Sequence, residues 1–424
     1  MEKSKNNFDT KFGLPEEVKF CKNCIISNQR PNSEIEFKHT DETKKKTIFF
    51  DNEGVCDACN FSFQKKKIDW KLREKELIDL CNRYRKTNGE YDCIVPGSGG
   101  KDSVYAAHLL KYKYNMHPLT ITWSPHIYTS WGYENFQSWI HSGFDNYLMT
   151  PNGLVHRLLT RIALEKLFHP FQPFMLGQKI IAPKMASMMN IPLVFYGEHS
   201  AEYGNPIKET ESSTVSTDYY SQKKNEIFIS GIKTDELISD YGLSLDELEP
   251  YQSLDSEVIL NKKINFQYLG YYLPWHPQTA YYYSVEKGNF KAAPERTPGT
   301  YSKYNSIDDK IDDFHFYTYY IKFGLGRASY DASQEIRNED ITREEGVNLV
   351  RKFDGEFPSR FADEIFKYLS IDSKQFSTVH KNFEEKTMSK EYFFHLADKF
   401  RSPHLWKKID DKWELRNKIW QDLP

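Results

Sequence analysis

The sequence of 424 residues has no excess of charge of either sign, because 57 Lys and Arg face 60 Asp and Glu for a net charge of −3. Proteins that bind nucleic acids through the phosphate backbone usually carry a basic surface, so this balance argues against that class. Long hydrophobic runs are also missing. The most apolar stretches, such as IPLVFYG at 191–197, are far shorter than the roughly 18 residues of a membrane span. The opening MEKSKNNFDTKFG lacks the apolar core of a signal peptide, so we expect a cytoplasmic protein.

Cysteine is scarce, with six in the chain, and four of these form two C-x-x-C pairs, Cys21/Cys24 and Cys56/Cys59. Two such pairs can hold Zn²⁺ tetrahedrally through four thiolates, which leaves no open position for catalysis. They predict a structural zinc in an N-terminal ribbon, since so small a fragment lacks a core of its own. The long gap between the pairs predicts an inserted loop, and four buried free thiols are the alternative.

The length predicts two or three domains. We place a zinc-ribbon-like module at 1–65, an α/β domain at 66–265 and an aromatic-rich, helical region for substrate or partner binding at 266–424. In the middle part short apolar strands alternate with helical patterns, which predicts a doubly wound parallel sheet. Residues 200–260 are polar and rich in turn formers, and they indicate an insertion in that domain. For the aromatic run at 268–283, core packing is favoured over stacking on a ligand.

A glycine-rich loop opens a helix in PGSGGKDSVYAAHLL, residues 96–110. A Walker loop would require glycine at Val95 and a hydroxyl at Asp102, and the dinucleotide fingerprint would require glycine at Asp102. In a parallel sheet this loop lies at the carboxyl end of the first strand, where ligands bind and helix N-termini attract anions. Lys101 can neutralise phosphate charge, and Asp102 beside a phosphate indicates a bridging Mg²⁺.

The hexapeptide SGGKDS at 98–103 resembles the PP-loop of the ATP pyrophosphatase superfamily, whose fold is adenine nucleotide alpha-hydrolase-like. Those enzymes cleave ATP between its α- and β-phosphates, adenylate a carbonyl or amide oxygen, and let a nitrogen or sulfur nucleophile displace AMP. Further stretches resemble the N-acetyl sugar amidotransferase family of lipopolysaccharide and nonulosonic acid biosynthesis, over about residues 18–360. These stretches are TPNGLVHRLLTRIALEKLFHPFQPFMLGQKIIAPKMA, IPLVFYGEHSAEYGNP, PERTPGTYSKY and FHFYTYYIKFGLGRASYDASQEIRNEDITREEG.

The resemblance implies an ATP-dependent C–N ligase that converts a sugar N-acetyl group into an acetamidino group through an adenylated imidate. The predicted ATP- and pyrophosphate-binding residues are Ser98, Gly99, Gly100, Lys101, Asp102, Ser103 and Thr122, with Trp123 as a further adenosine candidate. The predicted catalytic residues are Lys101, Asp102 and Glu198, with Asp102 also a Mg²⁺ ligand. Glu198 ends the fourth strand, which lies beside the first in a 3-2-1-4-5 sheet. It is predicted to be a second metal ligand or general base, and an ordinary exposed glutamate is the alternative.

The expected acceptor is an anionic or nucleotide-linked N-acetyl sugar. Pseudaminic acid, legionaminic acid and UDP-linked diacetamido uronic acids are all compatible with the sequence. Cationic side chains suit carboxylates and phosphates, and the predicted substrate contacts are Tyr203, Asn205, Arg296, Lys303 and Arg327. For the three cations simple ion pairing is the alternative. His156 and Arg157 begin a helix near the site and are weaker candidates.

The nitrogen source is predicted to be a partner protein. Residue 2 is Glu rather than a nucleophilic Cys, and Cys81 and Cys93 lie in helical and strand patterns without the context of a nucleophile. The resemblance implies a glutaminase and an ammonia-conducting subunit like the two halves of imidazole glycerol phosphate synthase. Two other functions are open: a tRNA-thiolating PP-loop enzyme, which would present a basic RNA surface, and a non-catalytic zinc-ribbon scaffold.

Overall fold

A computed structural model describes residues 8–206, 212–214, 216–222 and 227–421. Its centre is a parallel five-stranded sheet in the order β3-β2-β1-β4-β7. The strands are β1 (Cys93–Pro96), β2 (Pro118–Trp123), β3 (Asn146–Met149), β4 (Leu193–Tyr196) and β7 (Asn265–Tyr268). The predicted doubly wound α/β fold and its 3-2-1-4-5 order are confirmed, and β4 pairs directly with β1 through Val194 and Ile94.

Helices connect the strands and cover both faces of the sheet. They are α2 (Trp70–Tyr84), α3 (Lys101–His108), α4 (Ser130–His141), α5 (Gly153–Leu167) and α6 (Gln172–Met189). Side chains of Asp69, Thr129 and Asn152 accept backbone N–H groups at the starts of α2, α4 and α5, which stabilises these ends. Every residue of β2 is buried, as expected for a strand that is covered on both faces.

The polar insertion lies between β4 and β7 and contains a small hairpin with short helices. Its elements are β5 (Phe228–Ile229), β6 (Ile232–Lys233), α7 (Thr234–Ser239), α8 (Leu245–Leu248) and α9 (Ser256–Asn261). In the N-terminal module, α1 (Asp57–Lys65) follows the second cysteine pair, and isolated bridges such as Pro31–Thr47 join the rest.

The C-terminal region is helical, as predicted. It contains α10 (Leu269–Tyr272), α11 (Pro277–Gly288), α12 (Asp312–Phe323), α13 (Arg327–Arg337), α14 (Arg343–Phe353), α15 (Ala362–Leu369) and α16 (Lys390–Phe400). A hairpin of β8 (Trp406–Ile409) and β9 (Lys412–Leu415) follows, which the sequence analysis did not predict. Among the described residues no helix has the length and apolarity needed to cross a bilayer.

Helix α11 packs directly against α3 and thereby positions the start of α3. A Cβ at Gly288 would lie 2.4 Å from Cγ1 of Val104, so the two helices approach closely only because this residue is glycine. The hydroxyl of Ser284 donates a hydrogen bond of 2.8 Å to the carbonyl oxygen of Lys101. Of the aromatic run, Tyr272 and Trp275 are buried and Tyr282 is exposed. The C-terminal region therefore packs against the glycine-rich loop.

Candidate active site

The glycine-rich loop between β1 and α3 requires glycine at two positions, Gly97 and Gly99. Gly99 has a φ of +87°, and a Cβ there would lie 2.8 Å from the carbonyl oxygen of Asn135. At Gly97 a Cβ would lie 2.2 Å from the Cβ of Ser103. Gly100 precedes the first residue of α3, and no described side chain caps this helix start. This helix start therefore keeps backbone N–H groups that attract an anion such as phosphate.

The two charged residues of the loop form an ion pair between a buried lysine and a partly exposed aspartate. Lys101 is only 6% exposed, and its Nζ donates to Oδ2 of Asp102 at 2.6 Å. The other carboxylate oxygen of Asp102, Oδ1, is buried and has no hydrogen-bond partner among the described residues. A buried anionic oxygen is stable only when it is paired or coordinates a cation. Asp102 therefore fits the predicted role of a Mg²⁺ ligand, since Mg²⁺ prefers carboxylate oxygens.

Glu198 follows β4 and lies in the same cavity as the loop. Burial and the neighbouring Asp102 carboxylate raise the pKa of Glu198 to about 8, although Lys101 and Arg327 oppose this shift. Two carboxylates held close together in this way disfavour each other's ionised form, and a cation between them relieves the repulsion. The shared cavity and the raised pKa fit a second metal ligand or a general base, and this role of Glu198 stays a prediction.

The raised pKa of Glu198 makes stability depend on pH. Because the folded protein keeps a proton that the unfolded chain releases at about pH 4.3, the contribution of Glu198 to stability is fully present below about pH 4.3 and is lost as the pH rises through about 8. Glu198→Gln removes this titration. In metal-free protein, raising the pH from about 5 to about 8 should lower the melting temperature of the wild type by a few degrees relative to the variant. Parallel pH dependences in thermal unfolding would contradict the assignment.

A cavity of about 430 Å³ joins the loop to both flanking regions of the chain, a size typical of small-ligand sites. Eight of the predicted site residues line it: Ser98, Gly99, Gly100, Lys101, Asp102, Glu198, Tyr203 and Arg327. Ile26, Ile48 and Ala58 of the cysteine module form another part of its wall. The zinc-ribbon-like, α/β and C-terminal regions thus meet at one site.

Three predicted nucleotide-binding residues do not line this cavity. Ser103 uses its hydroxyl within the first turn of α3, where it donates to the carbonyl oxygen of Gly100 at 2.9 Å. Thr122 is fully buried in β2 and accepts a 3.0 Å hydrogen bond from Nδ2 of Asn146. Trp123 packs against α6 at Gly177, where a Cβ would collide with its ring. Their roles at the nucleotide remain predictions.

The three cationic side chains predicted to bind the substrate lie in different environments. Arg296 forms a two-bond ion pair with Glu356, at 2.6 and 2.7 Å. Nζ of Lys303 donates to the carbonyl oxygen of Pro294 at 3.0 Å. Arg327 lines the cavity, and its Nε donates to Oδ1 of Asp331 at 3.0 Å. Arg327 is therefore the member of this predicted trio that faces the cavity.

Three other candidates form structural hydrogen bonds. Asn205 accepts from the backbone N–H of Ser33 at 3.0 Å and donates to its hydroxyl, which ties the segment after β4 to the N-terminal module. His156 is buried with its Nδ1 at 2.7 Å from the hydroxyl of Tyr251. Arg157 donates to the carbonyl oxygens of residues at the end of α15, including Ser370 at 2.6 Å.

Several cavity residues were missed by the sequence analysis. Asp308 is the most notable, because it hydrogen-bonds Ser98 of the loop, and burial raises the pKa of its carboxyl group. Helix α13 contributes Tyr330, Asp331, Ser333, Gln334 and Arg337 in addition to Arg327. Residues 327, 330, 334 and 337 are spaced three or four apart, which places them on one face of a helix. This spacing could have predicted from the sequence that Tyr330, Gln334 and Arg337 line the cavity together with Arg327. No motif or periodicity around Arg30 in the sequence predicts that it lines the cavity.

The four cysteines of the two pairs form a buried cluster. The Sγ atoms of Cys21 and Cys59 lie 3.8 Å apart, those of Cys24 and Cys56 lie 3.7 Å apart, and all four lie within 4.8 Å of one another. Tetrahedral zinc with Zn–S bonds of about 2.3 Å places its sulfur ligands about 3.8 Å apart. The backbone N–H of Cys56 also donates to Sγ of Cys21 at 3.3 Å. The cluster can therefore hold the predicted structural metal ion.

A second group of metal-capable side chains lies in an adjoining cavity of about 190 Å³. Glu36, His39 and His169 bring their ligand atoms within 4.8 Å of one another. Lys45 and Lys322 line the same cavity, and two amines disfavour a divalent cation at this position. We therefore restrict the zinc prediction to the cysteines.

Comparison with known proteins identifies the C-terminal region. Residues 298–419 match the family model described as the C-terminal domain of WbpG-like LPS biosynthesis proteins. This match supports the resemblance to the N-acetyl sugar amidotransferases of lipopolysaccharide biosynthesis. A relative from Methanocaldococcus jannaschii, the uncharacterized protein MJ1599, is 36% identical over 83 residues, which are 20% of this chain and 29% of that protein. The match thus spans less than a third of that relative's length.

Proposed function

We propose that this protein is an ATP-dependent amidotransferase that converts an N-acetyl group of a sugar into an acetamidino group in surface glycan biosynthesis. The observation that carries the proposal is the shared cavity. The SGGKDS loop and Glu198 line one part of it, and residues of the WbpG-like region, including Arg327, line another. A nucleotide-activating loop thereby faces a region related to lipopolysaccharide biosynthesis proteins. The coarse function, a role in lipopolysaccharide biosynthesis, rests on the match of residues 298–419.

The chemistry needs activation because an acetamide is a poor electrophile and its oxygen is a poor leaving group. The acetamide oxygen attacks the α-phosphorus of ATP, and the bond to the β-phosphate oxygen breaks to release pyrophosphate. Ammonia then adds to the imidate carbon, loses a proton, and the C–O bond breaks to release AMP. The products are AMP, pyrophosphate and the acetamidine, with the acetyl oxygen retained in AMP.

The residues of the loop supply the electrostatic part of this reaction. Ser98, Gly99 and Gly100 surround the leaving pyrophosphate with backbone N–H groups and a hydroxyl. Lys101 stabilises charge that develops at the phosphates, in a buried setting where such stabilisation is large. Asp102 and Glu198 would hold Mg²⁺, which supplies Lewis-acid neutralisation of phosphate charge when it is bound. If Glu198 does not hold the metal, it is instead the candidate general base for the proton of the attacking ammonia, since its pKa of about 8 in the metal-free protein suits that role near neutral pH.

The ammonia is proposed to come from a separate glutaminase, through a subunit like those of imidazole glycerol phosphate synthase. This part rests on the family resemblance and on the lack of a glutaminase motif in the sequence. The six cysteines support it, because four form the metal-type cluster and Cys81 and Cys93 are buried. Burial raises the pKa of the Cys93 thiol well above its ordinary value, whereas a nucleophilic cysteine needs a lowered pKa. We propose that the reaction takes place in the cytoplasm.

Isotope labelling tests the reaction directly. The purified protein is incubated with ATP, Mg²⁺ and ¹⁵N-ammonium, together with a panel of N-acetyl sugars that carry ¹⁸O in the acetyl group. Mass spectrometry should find ¹⁵N in the sugar product, ¹⁸O in AMP, and AMP and pyrophosphate in equal amounts. Omission of ammonium should prevent formation of the amidine. Release of AMP only when tRNA is added would instead establish the thiolating alternative.

A further inference from the structure

Part of the cavity wall presents polar groups that the protein itself does not satisfy. Arg30 is 5% exposed and Ser333 is 1% exposed. Nη1 of Arg30, Oγ of Ser333 and Nε2 of Gln334 are buried without hydrogen-bond partners among the residues that the structure describes. All three residues line the 430 Å³ cavity. Buried polar groups are nearly always paired, so three such groups in one wall indicate a ligand.

Of the arginines that line the cavity, Arg30 and Arg337 form no ion pair with a carboxylate among the described residues. The charge of Arg337 is opposed by the neighbouring Cys24 thiol and Glu202, and its Nη2 donates to the carbonyl oxygen of Glu202 at 2.9 Å. Arg30 has no such neighbour in the part of the chain that the structure describes. Arg327 pairs with Asp331, Arg296 with Glu356 and Arg360 with Asp313. The Arg30 guanidinium instead lies over the ring of Tyr330, with Cζ at 5.5 Å from the ring centroid. A buried cation whose charge is not neutralised is strongly unfavourable, and an anionic ligand in the cavity would neutralise it.

The position of Arg30 is set by the cysteine module. Its backbone N–H donates to the carbonyl oxygen of Ser27 at 3.1 Å, and its carbonyl oxygen accepts from Ile48 at 2.9 Å. Ser27 lies three residues after Cys24, and Ile48 also lines the cavity. The cysteine module therefore extends a side chain into the cavity in addition to carrying the four-cysteine cluster.

Helix α13 supplies the rest of this wall. Tyr330, Ser333 and Gln334 lie within one turn of each other, so one helix presents the ring beneath Arg30 together with the hydroxyl and amide. Each of these residues belongs to the WbpG-like region. The wall thus combines donors from the two parts of the chain that flank the α/β domain.

We propose that Arg30, Ser333 and Gln334 form an anion subsite that binds a carboxylate of the acceptor sugar. A guanidinium binds carboxylate or phosphate through two parallel hydrogen bonds. Carboxylate is favoured over diphosphate because one uncommitted cation matches one negative charge. The identification of the anion as part of an acceptor sugar rests on the proposed function, whereas anion binding itself does not.

Binding measurements in the absence of ATP and ammonia test anion binding at this subsite separately from the proposed reaction. N-acetylneuraminic acid, its methyl ester and UDP-N-acetylglucosamine serve as probes in isothermal titration with the full-length zinc-loaded protein. We expect the wild type to bind the acid at least about tenfold more tightly than the uncharged ester. Arg30→Gln should abolish this preference, and Arg30→Lys should retain part of it. The matched control is Arg351→Gln, which removes an exposed guanidinium from α14 and should leave the preference unchanged.

Each outcome of these binding measurements supports or overturns the carboxylate subsite. A wild type that does not distinguish acid from ester, or an Arg30→Gln variant that still does, would overturn the carboxylate subsite. Loss of UDP-N-acetylglucosamine binding alone in Arg30→Gln would reassign the anion to phosphate and also overturn the carboxylate proposal. An equal loss of binding for acid and ester in both Arg30 variants, with a lowered melting temperature, would show a structural role instead. Absence of turnover in the isotope experiment would leave these affinities unaffected.

Discussion

Replacing Lys101 with alanine is expected to slow ATP-dependent AMP formation by a factor of about a hundred to a thousand. The ammonium group is buried, 2.6 Å from Asp102, and lines the cavity at the loop. In such a setting a charge aimed at the phosphates acts with little solvent screening. The measurement is pyrophosphate release under saturating ATP, Mg²⁺, acceptor and ammonium. The binding of acceptor alone should change little, since the loss concerns phosphate charge in the transition state.

The matched control is Lys287→Ala. Lys287 lies on α11, the helix that packs against α3, and its exposed amine pairs with Glu286 at 2.7 Å. This variant removes the same charge near the site without touching the loop, and its rate should equal that of the wild type. Because Lys101→Ala leaves Asp102 without its ion-pair partner, the melting temperature is recorded for both variants. An active, folded Lys101→Ala protein would refute the assigned role of the loop.

Removal of the metal from the cysteine cluster is expected to have the largest effect on stability. The four thiol side chains are fully buried, and structural zinc contributes about 10 kcal/mol or more of folding free energy in small zinc modules. Cys24→Ser should abolish stoichiometric zinc and lower the melting temperature by about 10 °C or more. Activity should fall too, because Ile26, Arg30, Ile48 and Ala58 line the cavity. Elemental analysis and thermal unfolding measure both effects.

Cys81→Ser provides the control for the loss of a buried thiol. Cys81 lies in α2, outside the cluster, and is fully buried. This variant should keep one zinc per chain, whereas its stability falls only by the amount typical of one polar substitution in a core. Equal zinc content in the Cys24 and Cys81 variants would refute the four-cysteine site.

The short motifs could be predicted from the sequence because the residues that carry their chemistry are neighbours along the chain. SGGKDS contains its own turn, helix start and charges, and the two cysteine pairs contain their own ligand spacing. The alternation of strands and helices likewise predicted the parallel sheet, and the 3-2-1-4-5 order expected for this fold class, through which Glu198 reaches the loop, is the observed one. The terminal hairpin Trp406–Leu415 was missed, since two strands of four residues in a charged segment give little periodicity.

Contacts between side chains that are distant in the sequence could not be predicted from it. Arg296 and Lys303 stand in family-like stretches beside Arg327, yet the fold directs Arg296 to Glu356 and Lys303 to a backbone carbonyl. Nothing in the local sequence distinguishes a cation that pairs with the protein from one that faces a cavity. That difference depends on which distant carboxylate the packing brings within about 3 Å.

The sequence by itself determined the fold class, the glycine-rich loop and the metal-type cysteine set, because each depends on residues near one another along the chain. The tertiary structure alone decided that Arg30 and Gln334 line the same cavity as Asp102 and Glu198. Those residues come from three regions that are distant in sequence. Their approach depends on the packing of the cysteine module and α13 around the carboxyl end of the sheet.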